Sequence, residues 1–267
     1  MLDSLPSKDF VQGSDISLEM EDISLRFGEL EIMAGISFSI KTGEIVSIIG
    51  PNGAGKSSIL NIINGLYPYE SGRIYVNGQF ISKPTPYRIA RLGVSRTFQH
   101  NALFKNMTVE DNILTGLSKK FESNFFEQTF RFGRAVTDTD LANQKLEQIL
   151  KFLDLEPLKE IMVGTLSYGF QKRVDLGRAL ISEPNILLLD EPLAGMNFNE
   201  KQHMRDIILE LNGTTATTIL LIEHDMGVVM DVSNKIIVLN YGKKIADGLP
   251  KDVQTNPQVI AAYLGEE

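Results

Sequence analysis

The sequence of 267 residues contains no cysteine, which excludes disulfide bonds and thiolate metal sites. It also lacks a long apolar run. The longest candidates, residues 186–189 and 219–222, are only as long as β-strands, whereas a membrane-spanning helix needs about 18 apolar residues in a row. Basic residues are not in excess, because 26 Lys and Arg stand against 34 Asp and Glu and give a net charge of −8. This balance argues against broad nucleic-acid binding, which requires a basic surface.

The overall composition is that of a soluble globular protein, with 43% hydrophobic and 22% charged residues. The first 15 residues are polar, with neither a basic leader nor an apolar core segment. We therefore expect them to form a flexible extension and not a signal peptide. If the protein acts at a membrane, the sequence predicts that it does so by docking.

Two kinds of strand pattern alternate with helical sequence, which indicates an α/β fold. Apolar residues alternate with polar ones in residues 18–27, 36–40 and 74–76, and Asn77-Gly78 is a hairpin turn, so an antiparallel sheet is predicted there. Residues 45–49, 186–189, 218–222 and 236–239 are continuous apolar runs typical of a buried parallel sheet. Between them the pattern is helical, with Thr108 as an N-cap, and Asn256-Pro257 begins a last helix whose apolar face is predicted to contain Val259, Ile260, Tyr263 and Leu264.

The segment GPNGAGKSS follows a predicted buried strand and opens a helix, which is the context that a phosphate-binding loop requires. Its glycines let successive backbone N–H groups point inward, and the helix N-terminus adds partial positive charge. Lys56 is expected to reach the β- and γ-phosphates of a nucleotide, and the Ser57 hydroxyl to bind Mg²⁺. The predicted phosphate-binding residues are Asn52, Gly53, Ala54, Gly55, Lys56, Ser57 and Ser58.

Two carboxylates, Asp190 and Glu191, follow the apolar run ILLL. Ligands of open α/β sheets bind at the carboxyl ends of the strands, so both side chains are expected beside the phosphate loop. Phosphoryl transfer needs positioning and charge neutralisation above all. Asp190 is therefore predicted to hold the Mg²⁺ shell through water, and Glu191 to orient the attacking water.

LSYGFQKR lies between these two motifs and completes a three-part order that resembles the ATP-binding subunits of ATP-binding cassette (ABC) transporters over nearly the whole chain. The resemblance implies an α/β P-loop NTPase fold with a RecA-like parallel-sheet core, an antiparallel β subdomain and a helical subdomain. We expect a single ABC ATPase domain over residues 16–267. Residues 16–98 and 183–267 would form the nucleotide-binding core, and residues 99–182 the helical part.

The resemblance also implies roles for further residues. In SRTFQHN, Gln99 matches a residue that senses the metal and the attacking water. In LLIEHD, His224 matches a switch histidine at the γ-phosphate, and Phe27 matches an aromatic residue that stacks on adenine. The signature segment would contact a nucleotide held by a second subunit through Ser167, Tyr168, Gly169, Phe170 and Gln171. Asn197, in LAGMN, stands in the loop that crosses the dimer interface. The chain departs from the family pattern at Tyr168 (usually Gly), Phe170 (usually Gln) and Asn197 (usually Asp).

Longer stretches, among them RFGELEIMAGISF, TTILLIEHDM and NPQVIAAYLGEE, resemble the subfamily that imports branched-chain amino acids, with urea and amide import as close relatives. This implies ATP and Mg²⁺ as ligands and a location on the cytoplasmic face of the membrane. It also implies a second ATPase subunit, identical or different, two membrane permease subunits and an extracytoplasmic solute-binding protein. Residues 99–104 would receive a helix of the permease, and nucleic acid is not an expected partner.

Other readings of the motifs stay open at this point. A lipopolysaccharide-export ATPase is a close relative of the import subfamily, and a non-transport ABC ATPase or a stand-alone P-loop kinase would share the phosphate loop. The helical segment of residues 118–143, rich in Phe and polar residues, is either a solvated insertion or a surface for a partner.

Overall fold

The computed structural model describes residues 15–98, 102–117 and 134–264. Several predictions fall outside these ranges: the extension up to residue 14, Gln99, residues 118–133 of the helical segment, and Gly265 as the end of the last helix. The strands are β1 (Ile16–Phe27), β2 (Leu30–Lys41), β3 (Ile45–Ile49), β4 (Ser71–Val76), β5 (Gln79–Phe80), β6 (Val94–Arg96), β7 (Ile186–Asp190), β8 (Thr218–Ile222), β9 (Lys235–Asn240) and β10 (Lys243–Gly248). The helices are α1 (Lys56–Ile63), α2 (Pro86–Arg91), α3 (Val109–Leu114), α4 (Arg134–Phe152), α5 (Tyr168–Leu180), α6 (Phe198–Thr215), α7 (Met226–Val232), α8 (Pro250–Gln254) and α9 (Pro257–Leu264).

An antiparallel sheet forms where the sequence alternates between apolar and polar residues. Within the described residues its order is β2-β1-β4-β5. Leu18, Met20 and Ile23 of β1 are buried, and they pack in one core cluster with Val46 and Ile48 of β3. The predicted antiparallel sheet is thus confirmed, and its apolar face covers the strand that leads into the phosphate loop.

The central sheet has the order β10-β9-β3-β8-β7-β6 in the described part of the chain. Its five strands from β9 to β6 pair in parallel, and β10 runs antiparallel to β9. Every residue of β3, β7 and β8 is buried, as expected for strands covered on both faces. The carboxyl ends of β3, β6, β7 and β8 therefore meet at one edge, which places Gly50, Asp190 and His224 near each other.

The helical part packs α3, α4 and α5 around an apolar cluster that includes Ile113, Leu150 and Val174. Thr108 caps α3, because its hydroxyl accepts the Asp111 N–H at 3.2 Å, as predicted. Among the described residues, no helix is both long enough and apolar enough to cross a membrane.

The last helix, α9, begins as predicted: the Asn256 side chain accepts the Gln258 N–H at 2.9 Å. Its apolar residues are not all buried, however. Val259 packs with Ile49 in a small cluster, whereas Ile260 and Tyr263 stay about half exposed. The helix lies on the surface beside the end of β3, so of Val259, Ile260 and Tyr263 only Val259 reaches the core.

Candidate functional site

The phosphate loop joins β3 to α1 in a conformation that depends on glycine. Gly50, Gly53 and Gly55 have φ angles of 150°, 82° and 99°, which side chains disfavour. At Gly50 space is also lacking, since a Cβ atom would lie 2.1 Å from the Leu239 carbonyl oxygen. Gly55 is the N-cap residue of α1, so the loop opens directly onto a helix N-terminus. Such a succession of turns makes a concave anion site from backbone N–H groups.

Lys56 lies inside this loop. Its Nζ donates to the carbonyl oxygens of Gly50 at 2.8 Å and of Pro51 at 3.0 Å, and the residue is buried. Burial lowers the pKa of Lys56, and the negative charges of Glu191 and Asp190 oppose this effect. The ammonium group is therefore held within the loop, beside both carboxylates that the sequence predicts.

Asp190 ends β7 and is almost fully buried. Its Oδ2 accepts a hydrogen bond from Nη2 of Arg96 at 2.8 Å, and its Oδ1 has no hydrogen-bond partner among the residues that the structure describes. Arg96 also donates from Nη1 to Asn61 Oδ1 of α1 at 2.7 Å. Arg96 thus joins the helix after the phosphate loop to the metal-binding candidate. The functional part of Arg96 was not predicted from the sequence. The motif SRTFQHN contains this arginine just before Gln99, but no local pattern shows that it pairs with Asp190.

Glu191 and His224 are in direct contact. Glu191 Oε1 lies 2.7 Å from Nε2 of His224, which follows β8. Glu191 has a φ of 49°, an unusual value for a residue with a side chain, and its N–H donates to the Ile222 carbonyl oxygen at 2.9 Å. This turn directs the carboxylate across the sheet edge to the histidine, so the two predicted residues lie at one place.

Glu223 is a second residue that our sequence analysis missed. Its buried carboxylate accepts the Leu193 N–H at 2.7 Å and the His224 N–H at 3.0 Å. Burial raises the pKa of Glu223, while the N–H groups of Leu193, His224 and Asp225 act in the opposite direction. Glu223 ties the chain after Glu191 to the histidine turn.

The signature segment begins α5, with Ser167 at the N-cap position but without a side-chain capping bond. Tyr168 packs on the loop before α6, because a Cβ atom on Gly195 would lie 2.9 Å from its ring. Gly169 is similarly close to Glu200 of α6. Phe170 and Gln171 contact residues of α5 or of the segment just before it. The Phe170 ring lies 4.9 Å from the Arg173 guanidinium, and Gln171 Nε2 donates to the Leu166 carbonyl oxygen at 2.9 Å.

Asn197 is the N-cap of α6 and forms a capping box with Glu200. Its side chain accepts the Glu200 N–H at 3.0 Å, and the Glu200 carboxylate accepts the Asn197 N–H at 2.9 Å. Asn and Asp cap helices about equally well. The departure from the family pattern at this position is therefore compatible with the same local structure.

Phe27 ends β1 and is about half exposed, with its ring 5.3 Å from the Tyr67 ring in an edge-to-face arrangement. An exposed aromatic face at this position could stack on a planar ligand. The metal-binding prediction can be placed only in part, because Ser57 and Asp190 belong to the described residues and Gln99 does not.

Comparison with known proteins gives a consistent result. Residues 33–194 match a family model described as ABC transporter, and residues 243–267 match one described as branched-chain amino acid ATP-binding cassette transporter. The chain is 38% identical over 249 residues to the high-affinity branched-chain amino acid transport ATP-binding protein BraF of Pseudomonas aeruginosa, with 93% of this chain and 98% of that protein covered. It is 40% identical over 253 residues to the corresponding protein LivG of Escherichia coli, with the same coverage.

Solved structures are similar over the whole fold. One is a nucleotide-free ATP-binding cassette from an ABC transporter, with a TM-score of 0.82, 33% identity, and 94% of this chain and 100% of that chain covered. Another is an ABC transporter cassette in its ADP conformation, with a TM-score of 0.81, 32% identity, and coverage of 95% and 100%. These matches confirm the predicted fold class, and the chain belongs to the ABC transporter family as an ATP-binding and ATP-hydrolysing subunit.

Proposed function

We propose that this chain energises the import of branched-chain amino acids by ATP-dependent dimerisation on the cytoplasmic face of a membrane. The observation that carries the choice of cargo is the match of residues 243–267 to a branched-chain amino acid cassette model. The names of the relatives BraF and LivG agree with it. Urea or amide import and lipopolysaccharide export are the alternatives to be tested.

In the proposed site the backbone of residues 52–58 binds the nucleotide phosphates, and Phe27 stacks on the adenine. Lys56 supplies a positive charge from inside the loop, where it is hydrogen-bonded to Gly50 and Pro51. Because the loop glycines already hold positive φ angles, this site needs little reorganisation to accept an anion.

Ser57, Gln99 and Asp190 would hold Mg²⁺ together with the phosphates. The donor set fits this ion, because Mg²⁺ at phosphate sites is bound through one or two protein oxygens and keeps several waters. The partnerless Oδ1 of Asp190 among the described residues supports the assignment. When bound, the ion neutralises phosphate charge.

Glu191 and His224 are the proposed catalytic pair. The Glu191 carboxylate is placed to orient a water molecule and accept its proton, and His224 to contact the γ-phosphate. Their 2.7 Å contact supports a shared role, because either group can shift a proton or a hydrogen bond to the other. Gln99 is proposed to sense the same water.

Residues 167–171 and Asn197 are proposed to face the nucleotide of a second ATPase subunit, of the same or a different chain. Their contacts within the subunit support this, because Tyr168 packs on Gly195 and Gly169 on Glu200, which places the signature turn beside the loop that contains Asn197. Two closed subunits would then share two nucleotides. Each nucleotide would bind the closed state better than the open one and so drive closure.

The remaining proposed partners are two permease subunits and, through them, an extracytoplasmic solute-binding protein. A cavity of about 680 Å³ lies between the β6 edge and the helical part, with Phe98, Gly116 and Arg178 in its lining. Phe104 follows Phe98 closely in the sequence, and its side chain is exposed. We propose that a permease helix docks here. Phe104→Glu should then abolish transport and spare the ATPase activity of the isolated chain, and coupled transport by this variant would contradict the docking.

The experiment that tests the dimer is size-exclusion chromatography with light scattering on Glu191→Gln, with and without ATP and Mg²⁺. An ATP-dependent dimer is expected, because the variant retains nucleotide binding and cannot reopen by hydrolysis. Lys56→Ala in the same background is the control and should stay monomeric. A monomer of Glu191→Gln in every condition, even with a candidate second ATPase added, would reject the shared-site mechanism.

The cargo is tested by reconstituting the chain with its permease and binding-protein partners in liposomes. Stimulation of ATP hydrolysis by leucine, isoleucine or valine, but not by urea or short amides, is expected. Stimulation only by urea or amides would reassign the transporter within import, and stimulation by lipopolysaccharide would reject import.

A further inference from the structure

Lys172 is a charged residue buried within the signature helix. It lies in α5, four residues after Tyr168, and is only 3% exposed. Residues four apart share one face of a helix, so the Lys172 side chain lies directly behind the signature turn. Burying a lysine is unfavourable unless its charge and its hydrogen bonds are satisfied, so its contacts require an explanation.

Lys172 contacts the backbone of the catalytic turn. Its Nζ donates to the Glu191 carbonyl oxygen at 3.2 Å, and the same oxygen accepts the Ala194 N–H at 3.3 Å. Glu191 is the residue with the unusual φ of 49°. The hydrogen bonds to its carbonyl group fix the peptide plane, and with it the direction in which the Glu191 carboxylate reaches His224.

The charges around Lys172 belong largely to the same site. Burial lowers the pKa of Lys172, and four carboxylates oppose this effect: Asp175, Glu223, Asp190 and Glu191. Two of them are the predicted metal and water residues. The ammonium group therefore interacts electrostatically with the carboxylates at the sheet edge, although it belongs to the helical part of the chain.

Lys172 also contacts the signature turn. Its Nζ lies 5.6 Å from the centre of the Tyr168 ring, within the range of a cation–π interaction. The same ring packs on Gly195, in the loop that leads to α6. Tyr168, which is 40% exposed, thus connects through the buried Lys172 to the Glu191 carbonyl group.

We propose that Lys172 is a positioning residue that couples the two nucleotide sites of the dimer. The inference rests on the proposed function, in which the signature turn contacts the partner's nucleotide and Glu191 acts on the nucleotide of its own subunit. A shift of Tyr168 on contact with the partner's nucleotide would move the ammonium group, and the ammonium group would move the Glu191 carbonyl. Occupancy of one site would then adjust the catalytic carboxylate of the other.

The experiment compares Lys172→Met, Lys172→Arg and the surface control Lys151→Met. In the Glu191→Gln background, ATP-induced dimerisation is measured by light scattering. In the chain with Glu191 intact, the ATPase rate is measured against ATP concentration. For Lys172→Met we expect dimerisation to persist and kcat to fall about 10-fold or more, since small misplacements of catalytic groups have effects of this size. The Hill coefficient should fall to about 1, which means that the sites have become independent.

Lys172→Arg keeps a buried cation with N–H donors and should recover most of kcat and the cooperativity, while Lys151→Met should behave like the parent. Unchanged kcat in Lys172→Met, or a lower kcat with unchanged cooperativity, would overturn the proposal and leave Lys172 as a counter-ion only. If Lys172→Met does not fold, Tyr168→Leu tests the same link, and an unchanged Hill coefficient there overturns it. Failure of the Glu191→Gln parent itself to dimerise would instead count against the proposed function.

Discussion

Arg96→Met is predicted to cost the protein a large part of its stability, although the family resemblance assigned Arg96 no role. The guanidinium group is 5% exposed and pairs with the Asp190 carboxylate, which is 3% exposed, at 2.8 Å. It also holds Asn61 at 2.7 Å. Methionine retains much of the length and the apolar stem of arginine, so the substitution removes chiefly the charge and the donors.

The expected size follows from the burial of the pair. Removing one partner of a buried ion pair costs about 3–5 kcal/mol, because the other charge stays desolvated. In a chain of this size each kcal/mol shifts the melting temperature by about 2–4 °C. Arg96→Met should therefore melt roughly 6–20 °C below the parent.

Urea unfolding followed by circular dichroism measures this cost directly, provided that the slope of the unfolding free energy against urea concentration is the same in the variant and the parent. Arg73→Met is the matched control, because the Arg73–Glu21 pair is exposed and its N and O atoms are 3.7 Å apart. The urea midpoint of Arg73→Met should equal that of the parent. The double variant Arg96→Met with Asp190→Asn removes both charges and should recover most of the loss. If Arg96→Met unfolds like Arg73→Met, then Arg96 does not hold Asp190, and this reasoning is refuted.

Three further substitutions test other parts of the structure. Gly50→Ala brings a Cβ atom 2.1 Å from the Leu239 carbonyl oxygen, so the phosphate loop must move and nucleotide affinity, measured by fluorescence titration, should fall at least about 10-fold. Asn112→Ala removes a fully buried amide that donates to three carbonyl groups of residues 104–108 and accepts the Phe104 N–H, and should cost about 3 kcal/mol in urea unfolding. Gly195→Ala places a methyl group 2.9 Å from the Tyr168 ring, at a backbone φ of 77° that side chains disfavour, and should weaken ATP-induced dimerisation in light scattering.

The first two substitutions each have a matched control. Gly213→Ala adds a methyl group with nothing within 4 Å, in a helix, and should bind nucleotide normally. Asn143→Ala changes an exposed residue of α4 and should leave the unfolding midpoint unchanged. Nucleotide affinity that is normal in Gly50→Ala, stability that is normal in Asn112→Ala, or dimerisation that is normal in Gly195→Ala would each contradict the local geometry on which the prediction depends.

The parts of the fold that could be predicted from sequence are those that local pattern determines. The run IVSII followed by a glycine-rich turn and a helix defines the phosphate loop within about a dozen residues. The Thr108 cap and the Asn256 start are local as well, because a capping side chain bonds to N–H groups only two or three residues away. Such features require no knowledge of what lies on the far side of the core.

Arg96, Glu223 and Lys172 could not be found in this way. Arg96 meets Asp190 at a separation of 94 residues, Glu223 meets Leu193 at 30, and Lys172 meets Glu191 at 19. Each is a charged residue inside a motif in which other residues received the predicted roles, and its burial depends on partners that only the tertiary fold supplies. The last helix shows the reverse effect: its apolar pattern suggested more burial than a surface position allows for Ile260 and Tyr263.

The three departures from the family pattern have a common physical account. Tyr168 packs on Gly195, Phe170 on Arg173, and Asn197 caps α6 through Glu200, so each side chain is satisfied inside its own subunit. A tyrosine ring in place of the usual glycine would obstruct a partner's nucleotide if it pointed outward. Here one edge of the ring packs against Gly195, and its face lies near the Lys172 ammonium group. The same packing connects the signature turn to the Glu191 turn through Lys172. The departure at Tyr168 and the buried lysine behind it are therefore best understood together, as one adaptation of the signature helix.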